Sequence, residues 1–246
     1  MTQYVSGLLD RGIIRPVEFA KAQNFAEIAE LAEKHVSQIP IDPKDRNYNR
    51  DWFTRFFEGA GCVSDKDVQE IWARILAGEI IHPSTYNLKT LDVLKNLDKA
   101  SAELFKKICL GCIKVDGVLV LPSYEAYPEF NQIRYESLLV LDELGLVNSA
   151  NGLTLNIEVN SPLQVLTQNS QFIITVNKLN KISVNVFPLT IAGGQIAKIF
   201  MGESSRENLE LFAQLLNENT PGKIGLFKIK SIKGSTIEFD NRNLLN

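Results

Sequence analysis

Histidine is almost missing from this chain: His35 and His82 are the only two in 246 residues. That scarcity excludes most histidine-based metalloenzymes and argues against a Ser–His nucleophile pair. Cysteine is scarce too, with three residues of which only Cys109 and Cys112 are neighbours in sequence. An odd, sparse set does not build a disulfide framework, so the expected location is a reducing cytoplasm. No apolar run approaches the roughly 18 residues that a membrane-spanning helix needs. The opening MTQYVSGLLDRGIIRP is too short and too interrupted by charge for a signal peptide. An excess of one charge is lacking as well: 26 Lys and Arg face 29 Asp and Glu, a net −3. The whole molecule therefore carries no electrostatic bias toward nucleic acid or an anionic membrane. There is no GxGxxG and no Walker lysine. No cofactor, no metal and no membrane association are expected.

What the chain does have is helical periodicity through its first half. Pro16 suits a first helical position, and Phe19, Phe25, Ile28, Ala29, Ala32 and Val36 follow near 3.6-residue spacing. Glu18, Lys21, Glu27, Glu30, Glu33 and Lys34 make the opposite, solvated face. Ile39-Pro40-Ile41-Asp42-Pro43 ends that helix. The segment 51–59 carries Trp52, Phe53, Phe56 and Phe57, aromatic on two faces, which predicts burial between neighbours. Ser64 is the expected N-cap of the next helix, with Asp65 and Asp67 in its first turn. Val68, Ile71, Trp72, Ile75, Leu76, Glu79 and Ile80 then form one stripe, and Pro83 closes it. Leu88, Leu91, Leu94 and Leu97 point inward on a further helix. Asp98 caps one that buries Ala102, Phe105, Ile108 and Cys109.

The texture changes after Gly111. Val118–Leu121 is a short strand stopped by Pro122, and 133–144 is a helix with Leu138, Leu139, Leu141 and Leu144 inside. Segments 153–159, 172–177 and 182–187 show period-two alternation with β-branched residues. Thr190 caps a helix over 191–201, and 206–216 reads as another. Segments 224–232 and 235–239 flank Lys233-Gly234, a hairpin turn. The expected architecture is mostly α with an α+β C-terminal half. Residues 1–115 form a helical bundle, and 116–246 form a winged-helix-like domain ending in a β-hairpin. The boundary is placed in 115–131, where Gly117, Pro122 and Pro128 cluster.

Four motifs carry a resemblance. They are W-A-R-I-L-A-G-E-I at 72–80, L-x-x-L-K-x-L at 91–97, A-x-L-F at 102–105 and P-L-T-x-A-G at 188–193. Together, over roughly 48–200, they resemble an uncharacterised bacterial family, the domain of unknown function numbered twenty-eight-oh-six. The chain is also similar to the Abi-alpha proteins linked to abortive infection, which share a helical core with a Leu-Leu-Ala-type helix. What these likenesses imply is a place in phage defence. They bring no catalytic residues with them.

Glu79 is the sharpest single residue, an acid on an oily face one turn-pair beyond Trp72. Ionised and unpaired it would cost several kcal/mol, so it requires a base or hydrogen-bond donor, with Arg50, Arg55 and Lys89 as candidates. It has no second acid or histidine in register, as general acid–base chemistry would want. Cys109-Leu-Gly-Cys112 is a lone CxxC at a helix end, where packed thiols are expected rather than zinc or redox chemistry. Gly193-Gly194 reads as a tight turn into a helix rather than a phosphate cradle. Over 131–200, Arg134, Lys178, Lys181 and Lys198 offset Glu136, Asp142, Glu143 and Glu158. Only Lys223, Lys228, Lys230 and Lys233, with Phe227 among them, make a basic stretch, and lysines guarding an edge strand explain it equally well. The expected function is non-enzymatic: a regulatory or interaction protein working through a protein partner or self-association. The alternative is a nucleic-acid-binding regulator using the second half. Trp72, Glu79, Lys228 and Lys230 are the residues to locate.

Overall fold

Pro16 opens α1 (Pro16–Val36), and the Glu18 carboxylate reaches back to accept from the Arg15 backbone N–H at 3.3 Å. The structure, a computed structural model, describes residues 10–12, 15–37, 48–115, 118–122, 135–149, 153–158, 163–166, 172–176, 181–200, 210, 213–214, 217, 224–233 and 236–243. The chain divides into two compact units, Met1–Ala102 and Glu103–Asn246. Among the described residues, no helix is long and apolar enough to cross a membrane.

The first unit holds α1, α2 (Arg50–Ala60), α3 (Lys66–Ile81), α4 (Leu88–Lys95) and the start of α5 (Lys99–Gly111). Asparagine 49 caps α2 by accepting from the Asp51 and Trp52 N–H groups. The cap of α3 is Asp65, one residue beyond the expected Ser64, and it accepts from Asp67 and Val68. A single carboxylate oxygen, Asp65 Oδ1, accepts both, at 2.9 and 3.2 Å. Helix α1 lies along α3, burying Ile28 and Ala32. Gln69 is fully buried in α3, and its amide donates to Glu27 Oε2 (3.0 Å) and to the Val63 carbonyl (2.9 Å). Farther along, Glu70 Oε1 receives Arg74 Nε at 2.8 Å and stands 2.9 Å from His35 Nε2.

Aromatic packing ties α2 into this core. Trp52 stacks on Phe56 with centroids 5.1 Å apart, and Phe56 meets Trp72 edge-on at the same distance. The burial expected on both faces of α2 is corrected by Phe57, which is 51% exposed and rests against Phe25. One face of α2 meets the core, and on the other Phe57 is only partly covered, by Phe25 of α1.

Among its described residues the second unit has two four-stranded sheets whose strand pairings are antiparallel. One has the order β1-β2-β6-β3, built from β1 (Ile113–Val115), β2 (Val118–Pro122), β6 (Lys181–Pro188) and β3 (Leu153–Glu158). The other has the order β4-β5-β7-β8, built from β4 (Leu163–Leu166), β5 (Phe172–Val176), β7 (Ile224–Lys233) and β8 (Thr236–Phe239). The β7–β8 hairpin has the expected place, with Lys233 opposite Thr236. Strands β1 and β4 are additions, since three or four residues are too short to show alternation. The helix expected over 206–216 lies largely outside the described residues.

Helices α6 (Tyr135–Glu143) and α7 (Ile191–Phe200) also belong to this unit. Thr190 caps α7 as expected, accepting from the Gly193 N–H at 2.9 Å while its own hydroxyl donates to the Gly145 carbonyl at 2.6 Å. Gly193 and Gly194 sit inside α7, not in a turn before it. A Cβ at Gly193 would collide with the Leu146 carbonyl oxygen, whereas one at Gly194 would meet nothing within 4 Å. The glycine pair is thus one steric requirement and one free position. Gly193→Ala should lower stability by about 2 kcal/mol through overpacking against rigid backbone. Gly194→Ala should leave it unchanged or raise it by up to about 1 kcal/mol through helix propensity. Denaturant melts of the two variants check this asymmetry.

Candidate functional site

Glu79 closes the last turn of α3 with 2% of its surface exposed. Arg50, Arg55 and Lys89, the bases expected to meet it, make no ion pair with it. Its partners are backbone groups of the turn it faces. The Ser84 N–H donates to Oε1 at 2.7 Å, and the Tyr86 N–H donates to Oε2 at 3.0 Å. Each is a charge-assisted hydrogen bond, contributing about 1.5–3 kcal/mol. Ser84 adopts φ +68°, left-handed backbone that a non-glycine residue rarely takes, at a cost of about 1–3 kcal/mol. The carboxylate holds that residue where its N–H points inward. The helix α4 starts directly afterward, with Asn87 as its cap.

The neighbouring motif residues serve the same corner. A Cβ at Gly78 would stand 2.9 Å from the Tyr86 ring, so only glycine lets that ring lie on the α3 backbone. The Trp72 ring lies where a Gly59 Cβ would be, bringing α2 close to α3. Burial, and then the negative charge of Glu79, raise the Tyr86 hydroxyl above its ordinary pKa of 10.0. The sequence pointed to the acid and missed Ser84 and Tyr86 as its partners. The signal was available: an acid in a final helical turn followed by Pro83-Ser84-Thr85.

Cys109 and Cys112 are both buried, and burial raises both thiols well above the usual range. A buried thiol that resists ionisation is a weak nucleophile and metal ligand. Among the described residues, no group of three or more His, Cys, Asp or Glu could hold a metal ion. His82 follows α3 as its C-cap.

Lys228 and Lys230 are exposed on the same face of β7, the face opposite the half-buried Phe227 and Ile229. Lys230 Nζ pairs with Asp240 at 3.1 Å, and Asp240 titrates below its usual range chiefly because of that contact. Lys233 is exposed at the strand end. Thus the structure places Trp72 and Glu79 two turns apart on α3 of the first unit, Trp72 against α2 and Glu79 against the turn into α4. Lys228 and Lys230 stand on the second.

A family model described as "Protein of unknown function (DUF2806)" matches residues 13–213. Among the curated proteins and solved structures compared, none matches. The matched span includes both the Trp72–Ile80 helix turns and the Pro188–Gly193 entry into α7.

Glu79→Gln keeps the shape but turns an amide toward one backbone donor, so a loss of about 2–3 kcal/mol in unfolding free energy is expected. The stability tied to Tyr86 is present below pH 10, the unfolded tyrosine value, and is lost as pH rises toward the higher folded value. Tyr86→Phe should flatten the fall of melting temperature across that alkaline range. In a thiol titration of native protein, Cys62 should react fast, and Cys109 and Cys112 only after denaturation.

Proposed function

The chain belongs to the DUF2806 family of proteins of unknown function, and from that premise we propose that it is a non-enzymatic interaction or regulatory protein. It works by protein contact, either with a partner or with a second copy, in a bacterial phage-defence setting. Support for the setting is the sequence resemblance alone. Support for contact as the mode of action comes from Phe57. That ring is 51% exposed, packs at a tilt against Phe25 with centroids 4.2 Å apart, and shares the surface of its unit with Val17 at 56%. An aromatic pair at the surface is the kind of anchor that protein interfaces use, offering large area at low entropic cost. On the second unit, Ile191 stands 76% exposed at the start of α7.

A second reading has its own observation. Lys228, Lys230 and Lys233 are exposed along β7, and a winged-helix-like second half could use them on phosphates. Asp240 already draws on Lys230, which favours the first reading.

Affinity purification of the tagged chain from its host, with absorbance ratio and mass spectrometry, separates the two. A stoichiometric protein, free of nucleic acid and lost in Phe57→Ser, is the expected result. Nucleic acid that elutes with salt and is lost in Lys228→Glu/Lys230→Glu would install the second reading. A monomer that carries neither would end both.

A further inference from the structure

Helix α3 is covered on more than the one stripe that its apolar periodicity announces. Ala73 and Ala77 are buried, 0% and 3% exposed, yet both lie off the stripe that runs from Val68 to Ile80. With Lys66, Gln69 and Glu70 they fall at i, i+3, i+4, i+7 and i+11, a second stripe of small and polar side chains. Three of its members bond to α1. Lys66 Nζ and Gln69 Nε2 both donate to Glu27 Oε2, at 2.6 and 3.0 Å, and Glu70 Oε1 stands 2.9 Å from His35 Nε2.

The two sides of α3 are held by different forces. On the first, Phe56 of α2 meets Trp72 edge-on and the Tyr86 ring lies over Gly78, with all three rings buried. On the second, α1 fully buries only Ile28 and Ala32 of its 21 residues. Glu27, Lys66, His35 and Glu70 each keep a third or more of their side chains in water. Ion pairs so exposed add little net stability and are screened by salt. Phe25 adds an apolar contact on α2, but its partner Phe57 is itself half exposed. The stripe under α1 also tolerates water. Ala73 and Ala77 offer one methyl each, and Gln69 keeps the Val63 carbonyl as an acceptor at 2.9 Å when Glu27 leaves. Neither the covered nor the uncovered arrangement strands a buried charge.

We propose that α1 is a releasable cover. It leaves α3 in a local opening during which α2, α3 and α4 stay packed, so that the Gln69–Ala73–Ala77 stripe and the Phe57 ring are uncovered together. Ionic strength sets how often this happens, because the links along α1 are largely ionic. The inference goes beyond the interaction reading above and stands without it.

Native-state amide exchange on the full chain is the test. The α1 amides of Phe25–Lys34 should exchange through an opening that spares the mid-α3 amides of Ile71–Ile75, which should outlast them by about tenfold or more. Raising sodium chloride from about 0.05 M to about 0.5 M should speed the α1 amides several-fold and leave those of α3 unchanged. Lys66→Glu sets a like charge against Glu27 and should speed α1 exchange about fivefold. Residue 66 opens α3, where an acid suits the helix dipole, so the loss should fall on α1 alone. One common rate for both helices, or an α1 rate moved neither by salt nor by Lys66→Glu, would overturn the proposal.

Discussion

A carboxylate taken out of water at the end of α3 sets the geometry of the first unit. Among the described residues no cation pairs with Glu79, and its carboxylate is met by two backbone N–H groups, those of Ser84 and Tyr86. Both donors belong to the turn that must reverse the chain into α4. The carboxylate's burial and the turn's shape therefore require each other. Without the turn the acid is stranded in the core, and without the acid Ser84 has no reason to hold φ +68°. Tyr86 then returns its ring across Gly78, and α4 starts at once with Leu91, Val93 and Leu94 facing the core.

Close backbone approach is the second constraint, and it recurs in both units. Gly59 admits the Trp72 ring, Gly78 admits Tyr86, and Gly193 admits the Leu146 carbonyl. Each glycine lies in a helix, where propensity alone would favour alanine by about 1 kcal/mol. At all three positions sterics outweigh propensity. Two of the recognisable motifs, Trp72–Ile80 and Pro188–Gly193, thereby have a physical account as docking devices. Their chemistry is that of packing and capping.

Much of this was legible from the sequence. The periodic stripe of α3 and the caps Asp98 and Thr190 appear where they were read. So do the strands around 118–122 and 224–239. These signals are local, and each is repeated over several residues. The cap of α3 moved by one residue because Ser64 and Asp65 are both good caps, and the choice turns on which backbone donors each can reach. The partners of Glu79 were misread because a search for opposite charge overlooks main-chain donors, which no side-chain alphabet displays. The exposure of Phe57 and Leu139 was hidden for a different reason. Periodicity shows that a face is apolar, but only tertiary packing decides whether anything covers it. The shortest strands, β1 and β4, have too few residues for any period to show.

Amide hydrogen exchange at single-residue resolution, comparing the parent chain with Glu79→Gln, tests this account most directly. In the parent, the Ser84 and Tyr86 amides should be protected far beyond the other residues of their turn, because each ends on a buried carboxylate oxygen. In the variant, their protection should fall together while the mid-α3 amides of Ile71–Ile75 stay slow. Ser84 and Tyr86 amides that exchange in the parent as fast as an open loop would contradict the claim that Glu79 organises this corner of the fold.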